Sequence, residues 1–140
     1  MPKYIFKEEE YAEWVKEEYQ DFDQTEYTGR KYKQTKVRYF NLPGDSDSAD
    51  KYGYTSDLWM GVNSFAPGGV YGTHRHQTFQ LYYVLSGKAK VKVGDEERVA
   101  EKGTWIFTPP EVDHYLENIG EEDFTYILIG GNPLKKAVKS

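Results

Sequence analysis

Residues 68–87 read GGVYGTHRHQTFQLYYVLSG, and two of the chain's three histidines, His74 and His76, stand there one residue apart. Along a strand, residues i and i+2 share a face. His74 and His76 are therefore expected to aim their imidazoles at one point, with Arg75 aimed away. Neutral imidazole is the commonest metal ligand. A nitrogen from His114, the remaining histidine, and an oxygen from Gln80 would complete a four-ligand site. A straight strand would carry Gln80 roughly 13 Å beyond His76. Ligation by Gln80 therefore requires a turn at Gln77, Thr78 and Phe79, with the two histidines ending one strand and Gln80 opening the next.

Outward from this stretch the chain is punctuated as many short strands. Residues 81–85 are continuously apolar, as in a buried strand. Residues 88–93 alternate, with Ala89, Val91 and Val93 inward and three lysines outward. Gly94-Asp95 makes a hairpin turn, and residues 98–100 return. Residues 36–42, 58–65 and 105–108 read as further strands. Residues 114–118 and 124–129 are expected to pair across the turn at 120–122. Such regular spacing argues for an all-β sandwich or small barrel. Before the barrel, residues 7–19 place Tyr11, Trp14, Val15 and Tyr19 at helical spacing, which predicts a short amphipathic helix. Residues 43–57 have the composition of a loop, a surface segment or a flap over a pocket.

Gly68, His74-Arg75-His76, Gln80 and Gly87 together resemble the first cupin motif, with Gln80 where the family has glutamate. Gly103, Pro109, His114 and Asn118 resemble the second. There the family often has glycine two residues after the proline, and this chain has Glu111. The resemblance implies a double-stranded β-helix, the cupin jelly roll of the RmlC-like type. On that reading residues 1–35 are the N-terminal helix and arm, 36–132 the barrel and 133–140 a loose basic tail, all in one domain. It also implies a metal centre at His74, His76, Gln80 and His114. The ion is divalent, and such N/O sites take zinc, nickel, iron, manganese or copper. Gln80 either ligates directly or hydrogen-bonds a metal-bound water. Tyr82, two residues after Gln80, is a candidate catalytic acid or base, since some cupin lyases use a tyrosine at this offset; the alternative is simple barrel lining. Tyr71, Trp105, Phe107 and Tyr126 are expected as pocket walls, and Asn118 as a structural hydrogen-bonding residue.

Composition bounds the remaining possibilities. At 140 residues the chain is one domain with a real core. There is no cysteine, which excludes thiolate zinc sites. No run approaches the ~20 apolar residues of a membrane span, and the first ten residues lack a signal-peptide core. The expectation is a cytoplasmic protein. Net charge is −5, and residues 1–26 alone carry nine acidic and three basic residues. The acidity is thus local to the arm, and no basic stripe suggests nucleic acid. The expected partners are a small-molecule substrate and a second copy in a homodimer.

Three neutral imidazoles and a neutral amide leave the +2 of an ion uncompensated, which favours Lewis-acid chemistry on an enolate or carbonyl. Cupins that open unsaturated uronate sugars, and certain polyketide cyclases, resemble this chain in using a glutamine near this place. An isomerase, lyase or cyclase is therefore the first expectation. A metal-dependent dioxygenase of an enolisable substrate is the second, and a non-catalytic ligand-binding module the third.

Overall fold

The computed structural model describes residues 58–132 and four strand segments before them, at 12–16, 20–23, 31–34 and 36–41; side chains are described for Lys36 and residues 60–132. The strands are β1 (Ala12–Lys16), β2 (Gln20–Asp23), β3 (Lys31–Gln34), β4 (Val37–Asn41), β5 (Leu58–Phe65), β6 (Val70–His74), β7 (Phe79–Ser86), β8 (Ala89–Val93), β9 (Glu96–Ala100), β10 (Trp105–Thr108), β11 (His114–Asn118) and β12 (Phe124–Gly131). They form two six-stranded antiparallel sheets, ordered β1-β4-β5-β12-β7-β10 and β2-β3-β6-β11-β8-β9. From β5 onward the chain crosses repeatedly between the sheets, which makes the jelly roll expected from the sequence.

Two expectations are corrected. The predicted helix over residues 7–19 is strand where it is described: β1 pairs with β4, with Trp14 opposite Tyr39. Its other residues lie outside the described ones. Tyr, Trp and Val are good strand formers, and the edge of β4 offers backbone partners that outweigh a weak helical periodicity. The second correction concerns β11 and β12, which do not pair across their turn. β11 lies between β6 and β8 in one sheet, and β12 between β5 and β7 in the other. Both strands are buried at alternate positions, and each contributes its apolar face to the space between the sheets. The loop at 43–57 and the tail at 133–140 lie outside the described residues.

The core is where the two inner faces meet. Phe65, Tyr82, Val84, Ala89, Val91, Leu116, Phe124, Tyr126 and Leu128 are buried there. Tyr126 is its centre, stacked on Tyr82 with ring centroids 4.4 Å apart and set 5.7 Å from Phe124. Its hydroxyl accepts a hydrogen bond from Asn63 Nδ2 at 3.0 Å, which satisfies a polar group that burial would otherwise penalise. Burial pushes the Tyr126 hydroxyl pKa up, so the phenol stays neutral.

Asn118 ties the corner between β11 and β12. Its Nδ2 donates to the carbonyls of Phe65 and Glu122, both at 2.8 Å, and its Oδ1 accepts from the Gly120 amide at 2.9 Å. The structural role expected for it is what the structure gives. Nearby, Gly87 has φ +87°, and a Cβ there would lie 2.5 Å from the Asp123 carbonyl oxygen. We predict that Gly87→Ala and Asn118→Ala each destabilise the fold, by about 2–4 kcal/mol, through backbone collision and orphaned buried polar groups respectively. Urea unfolding of each variant beside the parent checks this; a change under about 0.5 kcal/mol would contradict the assigned roles.

Candidate metal centre

β6 ends at His74, and the chain bends at Gln77 and Thr78 before β7 opens at Phe79. The required turn is therefore present. His76 stands in the bend rather than on the strand, so it is loop geometry, not strand alternation, that brings it beside His74. His114 opens β11 and pairs across the sheet with His74 on one side and Val93 on the other. The three imidazoles converge: ring centroids are 4.1 Å apart for His74 and His114, 4.8 Å for His76 and His114, and 5.6 Å for His74 and His76. One ligand nitrogen from each lies within 4.8 Å of the others, a grouping that could hold a metal ion.

The backbone selects which nitrogen each ring offers. His74 Nδ1 lies 2.6 Å from the Gly72 carbonyl, His76 Nδ1 2.8 Å from the Thr78 carbonyl, and His114 Nδ1 3.1 Å from the Val112 carbonyl. A carbonyl only accepts, so in each neutral ring the proton sits on Nδ1 and the lone pair on Nε2. The Nε2 atoms of His76 and His114 are buried without a hydrogen-bond partner. A buried acceptor left unmatched is costly unless something completes it. A divalent cation fits that demand, and the carbonyl contacts act as the outer supports that orient metal-binding imidazoles.

Burial also favours the neutral form of His76 and His114. It lowers the His114 pKa to about 4 and lowers that of His76, the latter offset in part by the Thr78 carbonyl and the Gln80 amide. Protons therefore do not compete for these nitrogens near neutral pH.

Gln80 reaches the edge of the cluster. Its Oε1 accepts a hydrogen bond from the Tyr82 hydroxyl at 2.6 Å, and the same carboxamide lies beside the His76 ring. Tyr82 faces inward, buried against Tyr126. Its hydroxyl touches Gln80, which makes it a positioning residue for that amide. Strand parity decides the proposed walls. Tyr71 packs 4.0 Å from the His74 ring and lines the site, and Tyr126 belongs to the core. Trp105 and Phe107 are corrected: β10 turns Ile106 and Thr108 inward, leaving Trp105 61% and Phe107 54% exposed.

A further support was hidden in a departure from the motif. Glu111, where cupins often have glycine, has φ +63°, and its amide donates to the His76 carbonyl at 2.7 Å. The left-handed backbone explains the glycine, since a Cβ is disfavoured there. Sequence reasoning marked the position but not its contact with the histidine loop.

The comparisons agree with this geometry. The cupin-domain family model matches residues 61–130, half of the chain, and the protein belongs to the cupin family. It is 38% identical over 48 residues to an uncharacterized protein of Methanocaldococcus jannaschii, a match covering 34% of this chain and 38% of that relative's length. Among solved structures it resembles a predicted oxalate decarboxylase from Thermotoga maritima, at 17% identity and a TM-score of 0.63 over 93% of this chain and all of the other. It also resembles KdgF from Halomonas sp., at 18% identity and a TM-score of 0.56 over 84% and 88% of the two chains. An RmlC-like cupin from Shewanella frigidimarina matches at 22% identity and 0.57, over 71% and 79%. At such identities the likeness is one of fold.

Two predictions follow from the site. The folded-state pKa of His114 is depressed from 6.5 to about 4, so the unfolded chain binds its proton first. The stability that the neutral ring contributes is full above pH 6.5 and declines as pH falls toward about 4. Unfolding free energies of metal-free protein between pH 7.5 and pH 4 should show this decline, and His114→Gln should show less of it; identical pH profiles would contradict the assignment. Separately, Glu111→Gly should stabilise the protein by about 1 kcal/mol by relieving the left-handed backbone, read from the shift in urea midpoint.

Proposed function

We propose that the protein is a metal-dependent enzyme that acts on a small oxygenated substrate, a carboxylate, ketone or enol, by isomerase, lyase or cyclase chemistry. The observation that carries this reading is the common orientation of His74, His76 and His114: each Nδ1 is held by a backbone carbonyl, which puts the lone pair of the neutral ring on Nε2. His74, His76 and His114 would hold a divalent ion, with Gln80 as a fourth ligand on rotation of its amide. When bound, the metal supplies a Lewis acid that polarises a carbonyl or stabilises negative charge on oxygen.

The protein's own groups set the character of that site. All four are neutral, so none offsets the charge of the ion, which supports electrophilic chemistry over a charge-balanced centre. The Tyr82 hydroxyl holds Gln80 and so governs whether its oxygen faces the histidines or turns away. Rotated by half a turn, the amide would donate from its nitrogen to the Tyr82 oxygen and present Oε1 to the ion. The wall near the histidines is aromatic through Tyr71, which favours exclusion of water and strengthens every charge interaction inside.

Metal analysis of protein purified without added metal, followed by oxygen uptake with enolisable substrates, tests the reading. About one equivalent of divalent metal is expected in the parent, and a strong loss in His76→Ala and His114→Ala. Metal retained in both variants would end the metal-centre reading. Oxygen consumption coupled to turnover would replace Lewis-acid chemistry with a dioxygenase. Gln80→Glu should retain metal at least as tightly as the parent, because a carboxylate is the stronger ligand. It should turn over more slowly, by tenfold or more if the site charge is worth about 1.4 kcal/mol at the transition state. Metal affinity unchanged in both Gln80→Ala and Gln80→Glu would remove Gln80 from the ligand set.

A further inference from the structure

We infer that the seam between β9 and β10 is a binding cleft for a small monocarboxylate, with Arg98 as the group that selects its charge. The inference rests on the proposed function only for what happens at the other end of the ligand.

The two sheets are not closed against each other on this side. β9 is the last strand of one sheet and β10 the last of the other, joined by the short turn at 101–104. Between them opens a cavity of about 460 Å³, within the range of small-molecule sites. Val91, Ala100 and Ile106 form an apolar floor that belongs to the core. Trp105 and Phe107, exposed on the barrel's outer side, form the lip.

Two charged residues, Glu96 and Arg98, stand among the lining of the cavity. In β9 the inward position is marked by Ala100, which is buried opposite Ala89. Arg98 and Glu96 share its parity and stand opposite Val91 and Val93, both inner-face residues, while Val99 faces solvent 50% exposed. Glu96 and Arg98 thus stand at the open edge, on the same side as the cavity's apolar lining, and both are solvent-exposed. Among the described residues neither Arg98 nor Glu96 makes an ion pair, although the neighbouring Lys90 and Glu97, on the outer face, make one at 3.3 Å. An unpaired guanidinium over an apolar cavity suits a carboxylate, which it can grip with two parallel hydrogen bonds. Glu96, one row nearer the histidines, disfavours a second anionic group.

The strands that line the cleft share rows of the sheet with a histidine. His114 pairs with Val93, and Val93 with Glu96, in one row across the sheet; Leu116, Val91 and Arg98 form the next. Two strand spacings and one two-residue step place the Cα atoms of His114 and Arg98 roughly 12 Å apart. A molecule that spans this distance would place its carboxylate on Arg98 and its oxygenated end at the histidines.

The test uses the full, metal-free protein, so that it does not depend on the metal reading. 3-Phenylpropanoate and its neutral isostere 3-phenylpropanamide are titrated while amide, methyl and indole NMR signals are followed. The acid should shift Trp105 indole and Val91 and Ile106 methyl signals saturably, and the amide should bind about tenfold more weakly. Arg98→Gln should bring the acid down to the amide's affinity, and Arg98→Lys should keep part of the preference. Equal affinities for acid and amide, an unchanged preference in Arg98→Gln, shifts confined to residues outside the cleft, or no binding by either compound would each overturn the inference. Charge preference in a protein that binds no metal would support the cleft while the metal-centre reading failed. A metal-loaded protein without that preference would do the opposite.

Discussion

Three imidazoles inside a barrel must be neutral, must have each N–H satisfied, and must point their lone pairs somewhere useful. That constraint organises this end of the molecule. The carbonyls that meet it come from residues two positions away in each case, Gly72, Thr78 and Val112. Each of those carbonyls is in turn fixed by a strand end or a bend. The last turn of β6, the bend at Gln77 and Thr78, and the approach to β11 are therefore as much a part of the site as the rings. Glu111 extends the same logic one step further, bracing the His76 carbonyl from a strained backbone position.

The rest of the barrel separates two tasks. The aromatic group around Tyr126 and the corner held by Asn118 keep the sheets together away from the histidines. The seam between β9 and β10 is left open, and Glu96 and Arg98 stand exposed beside it. A sheet edge whose backbone groups are unpaired usually needs protection. Here the two edges flank a cavity, with Trp105 and Phe107 exposed at its lip.

Tyr82 links the two regions. Its ring is stacked in the core while its hydroxyl holds Gln80 at the site. A buried ring has few rotamers open to it, so the amide it holds is positioned by packing rather than by a flexible contact. The glutamine that distinguishes this chain from the usual first motif is in this way anchored to the fold's centre.

Much of this was legible in the sequence because it depends on local spacing. The turn between His76 and Gln80 was demanded by strand rise, and the alternation of Ala89, Val91 and Val93 set the inner face of β8. Carried through the Gly94-Asp95 turn, that alternation also puts Glu96 and Arg98 on the same side of the sheet as Val93 and Val91. What the sequence could not decide is which strands share a sheet. Residues 114–118 and 124–129 look like hairpin partners because they are neighbours in the chain, yet burial of an apolar face on each is better met by placing them in opposite sheets. Residues 12–16 have a helical pattern, yet the edge of β4 recruits them as strand. Residue types and spacings settle which groups are available as ligands. Only the packing of one sheet on the other determines which of them meet, because pairing energy is gathered from strands distant in the chain.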